Sequence, residues 1–154
     1  MNILDSHNKI AFDFDDTLVY SDCAKFLHNY ILDHPEKKYY IITHRSPSEA
    51  RSIPNELEKN SPLTKDHFER IIVCPERIKL EFSIDQQMRR SSGLPPIDNQ
   101  TDIDTMFPGE QKFVNWKGFV AKKLGVSVLV DDLPHLSKQG AERNGVKFID
   151  ARKC

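Results

Sequence analysis

The sequence predicts a single α/β domain, a three-layer doubly wound parallel sheet with helices on both faces. Two observations lead there. Short apolar runs alternate along the chain with segments of helical apolar spacing. Those runs are apolar at consecutive rather than alternate positions, as strands covered on both faces are. A third observation says where chemistry would gather. Asp13, Thr43 and the pair Asp131-Asp132 each stand where an apolar run ends, and the crevice of a parallel sheet lies at the carboxyl ends of its strands.

The chain of 154 residues is one ordinary domain with room for a core, and its 38% hydrophobic and 29% charged residues are those of a globular protein. A net charge of −1 gives no overall pull towards nucleic acid or membrane, although a local basic patch is still allowed. No apolar run approaches membrane-spanning length, and Met1 to Lys9 lacks the hydrophobic stretch of a signal peptide. Cys23, Cys74 and Cys154 are widely spaced and form no Cys-x-x-Cys pair. They suggest neither a disulfide framework nor a zinc ribbon, so reduced thiols in a cytoplasmic protein are expected.

Taken in order, Ile10 to Phe14 reads as the first strand and Thr17 to Ser21 as a turn out of its acidic tip. Ser21 to about Asp33 reads as a helix, with Ser21 as N-cap and Phe26, Leu27, Tyr30 and Ile31 on its apolar face. Tyr39 to Ile42 is a second strand ending at Thr43. A helix capped by Ser46 or Ser48 then runs to about Lys59, broken at Pro54. Ile71 to Val73 is the third strand. Residues 75–115 read as a loop-rich insertion. Ile78, Leu80, Phe82 and Ile84 alternate at period two, which favours a strand, and the Pro-rich stretch Gly93 to Pro108 reads as a long loop, either a lid or an excursion without a role. Trp116 to Leu124 is a helix stopped by Gly125, and Val126 to Val130 the fourth strand. A helix opens at Leu133-Pro134 with Asp132 as its N-cap, Gly140 and Gly145 bracket its end, and Val146 to Ile149 closes the sheet.

The stretch from Ile10 to Val19 holds the densest signal. Asp13, Asp15 and Asp16 follow the first strand within four residues. Carboxylates so crowded need a cation, a shared proton or wide solvent exposure. A polar turn would account for an isolated Asp-x-Asp. The whole string Asp-Phe-Asp-Asp-Thr-Leu-Val behind a buried strand resembles the first motif of the haloacid dehalogenase (HAD) superfamily of phosphotransferases. Three further motifs of that superfamily appear in its usual order: Thr43 after the second strand, Lys117 at a helix start, and Asp131-Asp132 after the fourth strand.

The resemblance implies a Rossmann-like, HAD-like phosphatase domain over residues 1–154 and Mg²⁺-dependent hydrolysis of a phosphomonoester through an aspartyl-phosphate. Within it Asp13 is the nucleophile, and Asp15 the acid that protonates the leaving oxygen and then the base that activates water. Thr43 and Lys117 are catalytic and phosphate-binding. The Mg²⁺ ligands are Asp13, Asp15 through its backbone carbonyl, and an acid of the Asp131-Asp132 pair. Asp132 is favoured as the direct ligand with Asp131 behind it, and the reverse order stays open. Lys112 is the rival of Lys117. Arg45 is a candidate for the substrate's phosphate or leaving group. His44 and His135 read as structural or solvent-facing, and Arg77, Lys79, Arg89 and Arg90 as a solvated face.

One helix fills the interval between Asp16 and Thr43, which leaves no space for a large cap at that point. The resemblance therefore implies a capless or minimally capped enzyme with an open site, acting on nucleotides, nucleic-acid ends or phosphoproteins. Smaller phosphoesters would require the middle segment to fold over. The alternative reading is a receiver-like signalling domain or a catalytically silent phosphate-binding module. The order of Lys117 before the last acid pair speaks against the first, and intact Asp13 and Asp15 against the second. No membrane partner is expected, and oligomeric state is not written in the sequence.

Overall fold

The apolar runs fold into five strands: β1 (Lys9–Phe12), β2 (Lys38–Thr43), β3 (Arg70–Val73), β4 (Val128–Asp131) and β5 (Lys147–Asp150). In the computed structural model, which describes residues 2–153, they pair in parallel in the order β3-β2-β1-β4-β5. Five helices connect and cover them: α1 (Ala24–Asp33), α2 (Ile53–Asn60), α3 (Glu76–Ser91), α4 (Pro108–Leu124) and α5 (Pro134–Arg143).

Both faces of the sheet are dry. Side chains alternate across a strand, so Ile10 and Phe12 pack with Leu27, Ile31, Ile53 and Leu57 of α1 and α2. Ala11 and Leu129 face the other way, towards Trp116, Ala121 and Ala141 of α4 and α5. Residues alternating between two buried faces leave an unbroken apolar run in the sequence, and this is why the strands are legible there. No helix among the described residues is long and apolar enough to cross a membrane.

Several expectations are corrected. Residues 76–91 form α3, not a strand. The period-two pattern arises because apolar residues occupy both sides of this helix: Ile78 and Phe82 pack inward, while Leu80, Ile84 and Met88 are exposed. The expected insertion over 75–115 is a helical hairpin. Its loop packs Ile97, Ile103 and Met106 against Val114 of α4 in a small core of their own. Its two helices are joined by a buried pair in which Arg89 Nε and Nη2 donate to Glu110 at 2.8 and 2.9 Å. The Arg89 expected on a solvated face is therefore interior.

Helix α4 starts at Pro108, well before Trp116, with Pro108 in its first turn and Glu110 accepting from the Phe107 N–H at 3.0 Å. Pro54 opens α2 rather than breaking a longer helix, and neither Ser46 nor Ser48 caps it. The N-cap of α5 is Leu133, whose N–H is taken by Asp131 Oδ1 at 3.0 Å, not Asp132. Cys74 is free and buried, whereas Cys23 is disulfide-bonded, against the expectation of reduced thiols throughout; Cys154 lies outside the described residues.

Gly140 lies within α5, not at its end. Its backbone presses on α4: a Cβ on Gly118 would sit 2.2 Å from the Gly140 carbonyl oxygen, and one on Gly140 2.2 Å from that of Val114. No side chain fits between these backbones. Gly118→Ala is expected to cost about 1–3 kcal/mol as an overpacking substitution. For a domain of this size that is a fall of roughly 2–10 °C in Tm, measurable by circular dichroism, and an unchanged Tm would contradict the helix contact.

Candidate functional site

The strand order reverses between β1 and β4: the chain leaves β1 for β2 and β3 on one side and returns for β4 and β5 on the other. Asp13 follows β1 directly, and its N–H donates to Val130 O at 2.9 Å. Asp131 is the last residue of β4. The acids from opposite halves of the chain thus meet at the topological switch point, where the diverging connections leave a crevice.

Lys117 reaches this point from α4. Its side chain is almost wholly buried, and Nζ donates to Asp13 Oδ1 at 2.9 Å and to Asp131 Oδ2 at 2.7 Å. Burial works against its charge, but the two carboxylates outweigh burial and raise its pKa, so it is an ammonium. Lys112, the rival from sequence, is exposed and pairs with Glu81 at 3.3 Å. Asp131 is saturated: Lys117 and Ser137 Oγ, each at 2.7 Å, occupy Oδ2, and the Leu133 N–H occupies Oδ1. Burial alone would raise its pKa, but these donors prevail and hold it below the usual carboxylate value.

The other two acids are less well served. Burial, joined by repulsion from Asp131 and Asp132, outweighs Lys117 at Asp13 and raises its pKa well above normal. Burial and the neighbouring Asp131 push Asp132 up to about 6, although it has a hydrogen-bond contact with Asp13. Thr17 Oγ1 approaches Asp132 Oδ1 at 3.5 Å. One oxygen from each of Asp13, Asp131 and Asp132 lies within 4.8 Å of the others, and all three residues are buried. Two touching carboxyl groups need a proton or a cation between them. An all-oxygen donor set of this kind fits a hard divalent ion such as Mg²⁺, with Asp131 already engaged by its three donors.

Asp15 is not in that group. It lines the same small cleft, about 110 Å³, beside Asp13, Thr43 and Lys117, but its carboxylate is held by Arg45 through Nη2–Oδ1 at 2.6 Å and Nε–Oδ2 at 2.9 Å. Arg45 also donates to Glu56 on α2, from Nη1 at 2.7 Å and Nη2 at 3.2 Å. The candidate phosphate ligand from sequence is thus engaged by two carboxylates. Thr43 is buried at the end of β2, where it lines the cleft and its Oγ1 accepts from the Arg45 N–H at 3.1 Å. His44 is structural: its ring stacks on Phe113 at 3.9 Å, and burial holds its pKa well below normal.

Sequence reasoning missed Ser137 and Glu56. An i+6 serine and a helix glutamate carry no signal until the fold sets them beside Asp131 and Arg45. It also missed the backbone of the loop after Asp15. Asp16 (φ 56) and Tyr20 (φ 62) are both left-handed, a conformation Asp accepts readily and a bulky aromatic does not.

No family model matches the chain, and no curated protein matches it. The crystal structure of an uncharacterized protein from Corynebacterium glutamicum ATCC 13032 Kitasato is similar with a TM-score of 0.47 at 14% identity, over 94% of this chain and 84% of that one. A similarity at that level carries no conclusion, and the α/β architecture stands on the strand order itself.

The raised pKa of Asp132 gives a pH dependence of known sign. An acid whose pKa is higher in the folded than in the unfolded state contributes stability that is complete below about pH 4 and is lost as pH rises towards about 6. Asp132→Asn cannot lose it. In metal-free buffer the variant should become more stable than wild type across that window, by on the order of 1–2 kcal/mol, and keep a constant advantage above it. Paired thermal melts from pH 4 to 8 give the difference, and parallel curves would contradict the placement of Asp132.

Proposed function

We propose that the chain is a Mg²⁺-dependent phosphomonoester hydrolase acting through an aspartyl-phosphate. The observation that carries this reading is Lys117 Nζ lying between Asp13 and Asp131, with Asp132 against Asp13 at the switch point. Asp13 and Asp132 would hold the ion, together with the Asp15 backbone carbonyl that the HAD resemblance implies. When bound, the ion offsets carboxylate charge and lets an anionic phosphate approach.

The rest is done by the chain's own side chains. Lys117 orients the Asp13 carboxylate and supplies positive charge beside the phosphoryl oxygens. Thr43 donates its hydroxyl to one of them. A carboxylate oxygen of Asp13 attacks phosphorus as the bond to the leaving oxygen breaks, and that oxygen takes a proton from Asp15. Water, losing its proton to Asp15, then attacks the phosphorus and breaks the acyl-phosphate bond, releasing inorganic phosphate and free Asp13. Asp15 must exchange its pair with Arg45 to play this part, and Arg45 is accordingly assigned to positioning Asp15 rather than to gripping the phosphate.

Hydrolysis of p-nitrophenyl phosphate in Mg²⁺, lost in EDTA, is the expected activity, and turnover that persists without metal would overturn the reading. Asp13→Asn should abolish turnover while the Tm of the variant still rises on adding Mg²⁺. Asp15→Asn should separate substrates by leaving group. An alkyl phosphate, which needs a proton on its leaving oxygen, should slow by about 10²-fold or more. A p-nitrophenyl ester should lose much less in its first step, read as the burst of nitrophenolate. Equal losses on both would remove Asp15 from the acid role.

A further inference from the structure

The reaction cleft does not end at Asp132. A second cleft of about 250 Å³ shares Asp16 and Asp132 with it and is walled further by Tyr20, Asp22 and Arg152. A third, of about 300 Å³, shares Arg152 with the second and carries Lys138 and Lys153. Through these shared walls they form a track running from the candidate nucleophile past an aromatic ring to Arg152 and Lys153 after β5 and Lys138 on α5.

The ring is an unusual one. Tyr20 is 60% exposed although its backbone is left-handed. Its hydroxyl is fixed to α2, donating to Glu56 Oε1 at 3.4 Å and accepting from Asn60 Nδ2 at 3.2 Å. Among the described residues the ring makes no aromatic or cation–π contact. A side chain held out at such a backbone cost, with its polar tip tethered and its face open, is a stacking surface. The acids Asp16 and Asp22 beside it disfavour an anion at that point and favour an uncharged flat group. The charge changes sign further along. Asp150 orients the Arg152 guanidinium through Nε at 3.0 Å and Nη2 at 2.7 Å. Among the described residues Lys138 and Lys153 form no ion pair.

We propose that this track binds the leaving strand of a nucleic-acid end. The terminal phosphate lies at Asp13, the adjoining base stacks on Tyr20, and the next backbone phosphate meets Arg152, Lys138 and Lys153. The order of groups, anion site then aromatic surface then cations, is the order of phosphate, base and phosphate along a single strand. Stacking of this kind is tolerant of base identity. An acidic phosphopeptide could use the cations but would leave the ring without a partner. The inference rests on the hydrolase reading above and narrows its substrate to one class.

Binding separates the two claims. The Asp13→Asn chain with Mg²⁺ is titrated, by fluorescence anisotropy, with a labelled short oligothymidylate bearing a terminal phosphate at either its 3′ or its 5′ end. Unlabelled thymidine monophosphate and an acidic phosphopeptide serve as competitors. At least one oligonucleotide should bind about tenfold or more tightly than thymidine monophosphate. Tyr20→Asn, which suits the left-handed backbone, should weaken the oligonucleotide about tenfold. Lys138→Ala with Lys153→Ala should lower the slope of log affinity against log salt by about 0.7 for each lysine removed. In the chain with Asp13 intact, the same changes should reduce turnover of the oligonucleotide relative to p-nitrophenyl phosphate. Equal affinity for mononucleotide and oligonucleotide, tighter binding of the phosphopeptide, or indifference to all three substitutions would overturn the track. Strand binding with these sensitivities but no phosphatase activity would retain the track and overturn the hydrolase reading.

Discussion

A single buried ammonium group is the constraint around which this molecule is arranged. Three carboxyl groups from two distant stretches of chain converge where the sheet changes direction, and among the described residues Lys117 is the cation paired with them, bridging Asp13 and Asp131. One positive charge cannot offset three negative ones in an interior of low polarity. The imbalance is distributed unevenly. Asp131 collects Lys117, Ser137 and a backbone N–H and stays ionised at low cost, while Asp13 and Asp132 bear the deficit, with raised pKa values. A fold that needed only stability would gain by replacing these acids with apolar residues. Keeping them concentrates negative potential at one point, and a divalent cation is the simplest means of relieving it.

Packing far from the cleft determines whether Lys117 can reach it. Gly118 follows it in α4, and the contact of Gly118 with Gly140 brings α4 and α5 together with no side chain between them. Ser137, on the same helix as Gly140, steadies the Asp131 oxygen that Lys117 also uses. The two glycines let the helix that carries Lys117 lie against the helix that carries Ser137, and a methyl group at either position would strain that contact. The sequence marks Gly140 as a terminator because glycine ends helices more often than it joins them. Only the facing Gly118 reveals the other use.

The rest of what was legible follows the same division between local and tertiary causes. The strands were readable because both of their faces are buried, and Asp13, Thr43 and Asp131 because each follows such a run. Lys117 needed the helix phase: Phe113, Val114 and Trp116 fix the buried side of α4, and Lys117 falls on it while Lys112 does not. Helix α3 was misread because its outward face carries Leu80, Ile84 and Met88, so that hydrophobicity ceased to report burial. Arg45 was readable as a charged residue near the cleft but not as a partner of Asp15, since its second anchor, Glu56, comes from the following helix.

The Arg45 pairings make the end of β2 an active part of the proposed chemistry rather than a wall. Its backbone N–H holds the Thr43 hydroxyl oxygen, while its side chain holds both Asp15 oxygens and is itself braced by Glu56. An ion-paired carboxylate has no proton to give. In the proposed reaction Asp15 therefore has to separate from Arg45, whose guanidinium occupies both of its oxygens, before it can exchange a proton with the leaving group or with water. Glu56 lowers the cost of that separation, because it leaves the guanidinium with a carboxylate partner when Asp15 departs. Paired with Asp15 alone, Arg45 would keep the acid from its work. Braced by Glu56, it would be able in the proposed reaction to release Asp15 and take it back.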